Sequence, residues 1–580
     1  QWSGCSKLIL GPRNELYCFE KKLSGLSIYN LKKAKKKASL LLPEHANDVD
    51  VSNDQSILYV TSGISNGILT AFDVSNKKIK FEIAVGHFPV SPVDDGQNRL
   101  YLLNQYSGLL TVVDLDSRTV LKKIPVGREP VACALAPKDE TLCIAHLLPE
   151  QASTADTVAA HVTLVNTKTL RLSKRILLPN GSSGARDVAI TPDGQFAFVP
   201  HLIARYNLPT TQLERGWMNT NALSIIDLKK QELYATVLLD DVDLGAANPW
   251  AVACSEDGRS LCITHAGSHE VSFIDLPLLM RKLSTTKLAT ENRLSFLKDC
   301  CTRLKTTGCG PRTMVMKRDK IYVGNYFSDS IDIIDLTSKK IIKTIQNSPL
   351  LAQHQRGEYY FHNATTCFQS WQSCASCHPD GRADGFNWDL MNDFIANPKN
   401  GKSLLHAHVT PPMNWTGIRP HAEASVRAGM LHIQFNIVDE KEAEAMDAYL
   451  QALEPIPSPY LVNGELSPAA QRGKKLFESD RVGCAACHPS TLFTDLFQHD
   501  VGTHAPLDST ITKGGEIIAQ KEFDTPSLIE AWRTAPYLHD GRYASLKEVI
   551  TIGNHGDLRG NTSQLTSEEL CELVEYIKSL

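Results

Sequence analysis

The sequence predicts a multidomain β + α chain: an N-terminal seven-bladed β-propeller followed by two mainly α-helical units. Three observations carry this. One strand–turn–strand phrase recurs seven times in the first 350 residues. Helical phrases replace it beyond about residue 350. The helical part then repeats itself, with one C-x-x-C-H motif in each half.

A chain of 580 residues is too long for one compact core, so several domains are expected. Apolar residues at 42% and charged residues at 21% describe ordered globular domains rather than a disordered chain. Lys plus Arg is 60 and Asp plus Glu is 64, and the net charge of -4 argues against a general nucleic-acid binder. The basic run Lys32-Lys33-Ala34-Lys35-Lys36-Lys37 reads as a solvated turn between strands rather than a docking patch. No apolar run approaches the roughly 20 residues of a membrane span. The start at Gln1 fits a processed, exported form.

The recurring phrase is an apolar strand ending in a polar residue, a turn, and a second apolar strand ending in Asp or Asn. Its copies end at Asn30, Asp73, Asp114, Asn166, Asp227, Asp275 and Asp335. Alternating apolar and polar residues rich in β-branched side chains indicate strands. TPDG at Thr191–Gly194 and SEDG at Ser255–Gly258 mark hairpin turns. Copies spaced some 40 to 60 residues apart leave room for about four short strands each, the dimension of a propeller blade. The phrase LYVTSG…TAFD resembles the YVTN family of bacterial β-propellers, which implies a ring over residues 1–350. His146, His201 and His265, with Asn104 and Asn325 at matching places, end the first strand of their copies. A ring of imidazoles could hold a metal; closing the turns or lining one mouth of the ring is the favoured reading.

Of 15 cysteines, four belong to the C-x-x-C-H motifs. Cys133/Cys143, Cys254/Cys262 and Cys5/Cys18 each bracket a hairpin turn, so disulfides between them, fitting an oxidising compartment, stand beside buried free thiols as readings. The odd count leaves at least one thiol without an intrachain partner, with Cys367 and Cys571 as candidates.

Cys374-x-x-Cys377-His378 and Cys484-x-x-Cys487-His488 point to two covalently attached haem c groups. The thiols form thioethers, and the adjacent His378 or His488 is the proximal iron ligand. A zinc site or a thioredoxin-like pair does not explain a histidine directly after the second cysteine in both copies. Each half reads as a small cytochrome c-like unit, over 361–456 and 461–580, joined by the Pro-rich stretch from Glu454 to Pro459. Aligning the halves on Gly417 and Gly541, with one residue of slack, pairs Val426 with Val549, Met430 with Gly553 and His432 with His555. His555 is the expected sixth ligand of the second iron, with His499 and His504 as competitors. His406, His408, Met413 and Met430 compete with His432 beside the first.

The phrases CASCHPDGRADG, NWTG, CAACHPS, FQHDVGT, FDTPSL, TAPYLHDGR and SLKEV resemble the bacterial di-haem cytochrome c peroxidases and their MauG-like relatives. A propeller beside such a unit also resembles, in architecture alone, the beta and gamma subunits of hydrazine synthase. The resemblance implies peroxide reduction or activation at the N-terminal haem and electron entry or storage at the C-terminal one. It implies a small electron-donor protein, a cytochrome or cupredoxin, as partner, and a periplasmic or extracellular location. A MauG-like oxidation of a partner protein held by the propeller and a non-catalytic electron carrier are the alternatives. Trp415 matches the tryptophan between the haems. Where the peroxidases keep a catalytic glutamate, this chain has His432 and Gln434, so His432 is the expected acid–base group.

Overall fold

The computed structural model describes all residues except 1, 3, 138–139, 209–213, 348, 391–394, 513 and 554–560. Seven antiparallel sheets occupy residues 5–41, 46–86, 89–125, 130–177, 182–238, 249–305 and 311–346. These blades run in chain order, and each recurring phrase is the central hairpin of one blade. In the second, Ile57–Ser62 faces Gly67–Asp73 with the register Ile57↔Asp73 to Ser62↔Ile68. The Asp or Asn that ends each phrase has a local cause. Its carboxylate or amide oxygen accepts backbone N–H groups of the next turn, as Asp114 does from Ser117 at 2.7 Å and Asn166 from Thr169 at 2.7 Å. Asp275 instead caps the helix α1, Leu276–Thr285, by accepting from Leu278 N. Lys35–Leu41 is the outer strand of the first blade, and its exposed lysines discourage edge pairing.

Side chains on the inner strands stitch neighbouring blades. Ser91 N donates to Asp48 Oδ2 at 2.8 Å, Cys133 N to Ser91 Oγ at 3.0 Å and Val252 N to Asp187 Oδ2 at 3.0 Å. The first and last blades join without exchanging a strand. Leu8 N donates to Thr313 Oγ1 at 2.8 Å, and the Trp2 indole donates to Tyr326 O at 2.9 Å while stacking on Phe327.

The polar residues that end the first phrase strands are buried and bonded inside the ring wall. His146 Nε2 meets Thr163 Oγ1 at 3.0 Å, His201 Nε2 meets Ser224 Oγ at 2.8 Å and His265 Nε2 meets Ser272 Oγ at 2.6 Å. Their Nδ1 atoms each meet a backbone carbonyl. They are structural, and burial holds all three imidazoles below their ordinary pKa. Cys5 and Cys18 form a disulfide. Cys133/Cys143 and Cys254/Cys262 do not, because the register places Ala134 opposite Cys143 and Ala253 opposite Cys262. An offset of one residue turns the two thiols of each pair to opposite faces of the sheet.

Beyond the propeller come α2 (Gln353–His362), α3 (Cys374–Cys377), α4 (Ala422–His432), α5 (Glu440–Gln451), α6 (Pro468–Phe477), α7 (Leu546–Thr551) and α8 (Ser567–Lys578). Strands do not stop: short two-stranded ribbons pair Asn387–Trp388 with Lys399–Asn400 and Gln498–Asp500 with Glu522–Asp524. α2 starts ahead of residue 361 and packs on α5, as α6 packs on α8. Both crossings turn on a glycine. A Cβ on Gly357 would lie 1.8 Å from Ala445 O, and one on Gly473 would lie 1.9 Å from Glu572 O. Gly473→Ala is therefore expected to destabilise the second unit by about 2–3 kcal/mol despite its better helix propensity, read as a lowered unfolding midpoint. An unchanged midpoint would mean that the helices separate freely.

The propeller and the helical part share a buried seam. Gly245 N donates to Gln369 O at 2.8 Å, and a Cβ on Gly245 would lie 2.5 Å from the Trp371 Cα. Ser153 joins Gly385 O at 2.7 Å, and His87 meets Pro457 O of the connecting stretch at 2.8 Å.

Candidate functional site

The propeller itself holds the first C-x-x-C-H turn. Asn248 donates to Ser373 Oγ at 2.7 Å and accepts from Ser376 Oγ at 2.7 Å, which fixes both ends of α3. Asn219 Nδ2 lies 3.1 Å from Cys377 Sγ, and Gln434 Nε2 lies 3.4 Å from Cys374 Sγ. Burial pushes the Cys374 thiol up to about 12 and also pushes that of Cys377 well above its ordinary value. The three motif residues line a cavity of about 320 Å³, walled by apolar side chains such as Phe361, Leu404, Val426 and Leu450.

Cys484, Cys487 and His488 line a second cavity of about 240 Å³, with Phe477, Leu528, Val549 and Ile577 among its walls. The two histidines are prepared alike. His378 Nδ1 donates to Arg382 O at 2.7 Å and His488 Nδ1 to Phe493 O at 2.8 Å. A donating Nδ1 leaves the lone pair on Nε2, the tautomer an iron requires. Each site thus offers what a haem c needs: two sulfurs, a pre-set imidazole and an apolar slot.

Trp415 lines both cavities. Its indole donates to Asn400 O at 2.7 Å, and Lys402 Nζ lies 5.2 Å from its ring. Lys402 pairs with Asp524, whose N–H donates to Trp415 O at 2.9 Å, so the second unit grips the tryptophan's loop.

The halves repeat with a constant offset of 124 residues through this loop. The cis bonds Pro411-Pro412 and Ala535-Pro536, the bridges Met413↔Arg419 and Tyr537↔Tyr543, and Gly417 and Gly541 at φ 64° and 59° all match. α4 and α7 also start in step, at Ala422 and Leu546, so the frame has no slack: it pairs Ser425, not Val426, with Val549 and Gly429, not Met430, with Gly553, and it does not align His432 with His555. In this frame His539 is the counterpart of Trp415. It lines the second cavity, stacks on Phe523 at 3.7 Å and meets Asp508 Oδ2 at 2.8 Å.

His432 falls elsewhere than expected. It ends α4 on the exposed side, and the cavity face of that helix is formed by Ala422, Val426 and Gly429, followed by Ile433. One residue of helix turns a side chain by about 100°, which carries His432 off that face. Gln434 does line the first cavity. Among the competitors there, Met413 lines the cavity, whereas Met430 is buried between α4 and α5. His408 meets Asp447 at 3.1 Å, and His406 lines the second cavity instead of the first. His555 lies outside the described residues. Of its competitors, His499 lines the second cavity beside Asp495, and His504 is exposed.

Asp384 was not singled out by sequence. It lines the first cavity, accepts from the Trp388 indole at 2.8 Å and from Phe386 N at 3.1 Å, and is 1% exposed. Burial pushes its carboxyl up to about 7, against the two hydrogen bonds that favour ionisation. Within GRADG it has no neighbouring signal that separates it from a turn-forming aspartate.

No family model matches the chain. It is 31% identical to hydrazine synthase subunit gamma of Kuenenia stuttgartiensis, over 42% of this chain and 82% of that one. It is also 31% identical to subunit beta of the same organism, over 26% of this chain and 41% of that one. MauG of Methylophilus methylotrophus is 24% identical over 41% of this chain and 84% of that one. A solved chain of Kuenenia stuttgartiensis hydrazine synthase superposes with a TM-score of 0.53, covering 59% of this chain and 97% of that one at 21% identity, a likeness of fold. With its two matched cavities and its ring of blades, the chain belongs to the family of hydrazine synthase subunit gamma, as a di-haem cytochrome c peroxidase/MauG-like domain fused to a YVTN-type seven-bladed propeller.

Proposed function

We propose that the chain is an exported oxidoreductase that carries two covalent haem c groups and reduces or activates peroxide at the first. Cys374, Cys377 and His378 would hold one haem, and Cys484, Cys487 and His488 the other. The observation that carries this reading is the pair of cavities, each lined by one C-x-x-C-H motif, with Trp415 in both walls. When bound, the haems supply iron that stores electrons and binds a small oxidant. Trp415 offers an aromatic bridge between them. Gln434 can orient a bound molecule through its amide but cannot exchange a proton. Asp384, poised near neutrality, is the cavity's acid–base carboxyl. Electrons would arrive at the second haem from a small donor protein, with the propeller as scaffold and docking surface. Export is supported by the Cys5–Cys18 disulfide. No helix among the described residues is long and apolar enough to cross a membrane.

Haem analysis of purified protein should give two covalent groups per chain, and peroxide should reoxidise the reduced protein rapidly. Slow reoxidation at every peroxide concentration would leave an electron carrier. A second reading, handling of a small nitrogen compound, is favoured by the 31% identity to hydrazine synthase subunit gamma over the 24% to MauG. Reaction with hydrazine in preference to peroxide would select it.

Trp415→Phe keeps an aromatic ring but loses the indole bond to Asn400. It is expected to retain both haems and to slow transfer between them by about tenfold, roughly 1.4 kcal/mol of barrier. Equal rates in rapid-mixing reduction would take Trp415 off the path.

A further inference from the structure

The turn after His378 is held from outside its own unit. Asp380 gives its carboxylate to Arg186 of the fifth blade at 2.9 Å and to Arg533 of the second unit at 3.3 Å. Arg382 makes two parallel bonds to Glu530 of the second unit, Nε to Oε2 at 2.9 Å and Nη2 to Oε1 at 2.7 Å. Its Nη2 also donates to Glu454 O of the connecting stretch at 3.0 Å. Arg382 is 5% exposed and Glu530 0%. Propeller, connection and second unit therefore converge on the five residues from His378 to Arg382. What they hold still is the Arg382 carbonyl, the acceptor for His378 Nδ1 at 2.7 Å.

Among the described residues the second site shows no such charged clamp, only Ser527 Oγ donating to Leu492 O at 2.7 Å. His488 donates to Phe493 O at 2.8 Å, but the loop Pro489-Ser490-Thr491-Leu492-Phe493 has no charged residue, and its first three residues are exposed. Two equivalent proximal bonds are thus supported unequally. A buried ion pair is weak evidence of stability, because desolvating two charges offsets their attraction; fixing a geometry is the better-attested use. An acceptor held rigidly on the distal nitrogen of an iron-bound imidazole raises its donor strength and favours the oxidised iron.

We infer that Arg382 and Glu530 are positioning residues for His378, through which the second unit sets the reduction potential of the first haem separately from that of the second. This rests on the reading of His378 as a proximal ligand. Loosening the clamp weakens the acceptor bond, so the first haem becomes easier to reduce.

The test uses the full-length holoprotein with Glu530→Gln and Arg382→Lys, which removes one charge or keeps it without the parallel bonds. Spectroelectrochemical titration should show the first haem's potential rising, by about 59 mV if the one-electron equilibrium shifts tenfold, with the second haem's unchanged. The iron–histidine stretching frequency of the first site should fall in parallel. Should Glu530→Gln not fold, Arg382→Lys supplies the same reading, with the smaller shift expected of a retained charge. Two haems with unmoved potentials, or potentials that move together, would overturn the inference. His378→Gly separately tests the underlying ligation: an unchanged first-haem spectrum there would refute the ligand assignment rather than the clamp.

Discussion

Asp384→Asn is expected to lower peroxide turnover by about 10²–10⁴-fold while leaving haem content intact, the usual contribution of a general acid–base group. Asp384 is a titratable carboxyl in the first cavity, and burial holds its pKa at about 7. Turnover in the wild type should rise through about pH 7, as the carboxyl ionises and can accept the first proton of peroxide. The variant should lose that limb. The sign of the linked stability separates catalysis from folding. An unfolded aspartate titrates near about 3.9. A folded value raised to about 7 means that the native state binds more protons in between, so this group costs stability as pH rises through that window. Asn removes that cost but keeps one acceptor for the two donors, Trp388 and Phe386. The variant should therefore unfold no more easily above pH 7. Wild-type turnover in Asp384→Asn, or the same pH limb, would place the proton carrier elsewhere.

The sequence made the ring legible because each blade repeats one short-range pattern. The phrase from Leu58 to Asp73 contains two alternating strands and the Asx turn that ends them, all within one hairpin. The C-x-x-C-H motifs are likewise short-range patterns, and each lines one cavity, whereas Trp415, which lines both, was reached through the resemblance of NWTG. What failed required a register or a phase. Cys133 and Cys143 flank a turn, but whether their thiols meet depends on which residues stand opposite, and Ala134 faces Cys143. His432 lies near the expected glutamate in the chain, yet the face of α4 that meets the cavity passes through Gly429 and Ile433 instead. Asp384 was invisible because its departure from an ordinary aspartate comes from burial, and the propeller seam beside it, where Ser153 reaches Gly385 O, is distant in sequence. The clamp behind His378 joins residues from Arg186 to Arg533, a separation that no local pattern spans.

Arg533→Met is expected to destabilise the whole chain by about 3–5 kcal/mol at neutral pH, the cost of leaving a buried partner charge uncompensated. The Arg533 and Glu129 side chains are 2% and 3% exposed and lie 2.7 Å apart, one from the second unit and one from the propeller. Arg533 also lies 3.3 Å from Asp380. Methionine fills much of the same volume but leaves Glu129 without its main counter-charge. Asp380 gives the effect a pH signature. Burial alone would raise its pKa, but Arg186 and Arg533 outweigh it and hold the carboxyl well below the ordinary range. A depressed folded pKa contributes stability that is present above the unfolded value of about 3.9 and is lost as pH falls below it. The advantage of the wild type over Arg533→Met should therefore be largest at neutral pH and shrink as the pH is taken below about 4. Urea unfolding of both proteins at pH 7 and pH 3 measures the difference directly. A gap under about 1 kcal/mol at pH 7, the size of an exposed pair, would mean that water reaches the seam and screens it. A gap that persists undiminished at pH 3 would assign the loss to packing rather than to charge.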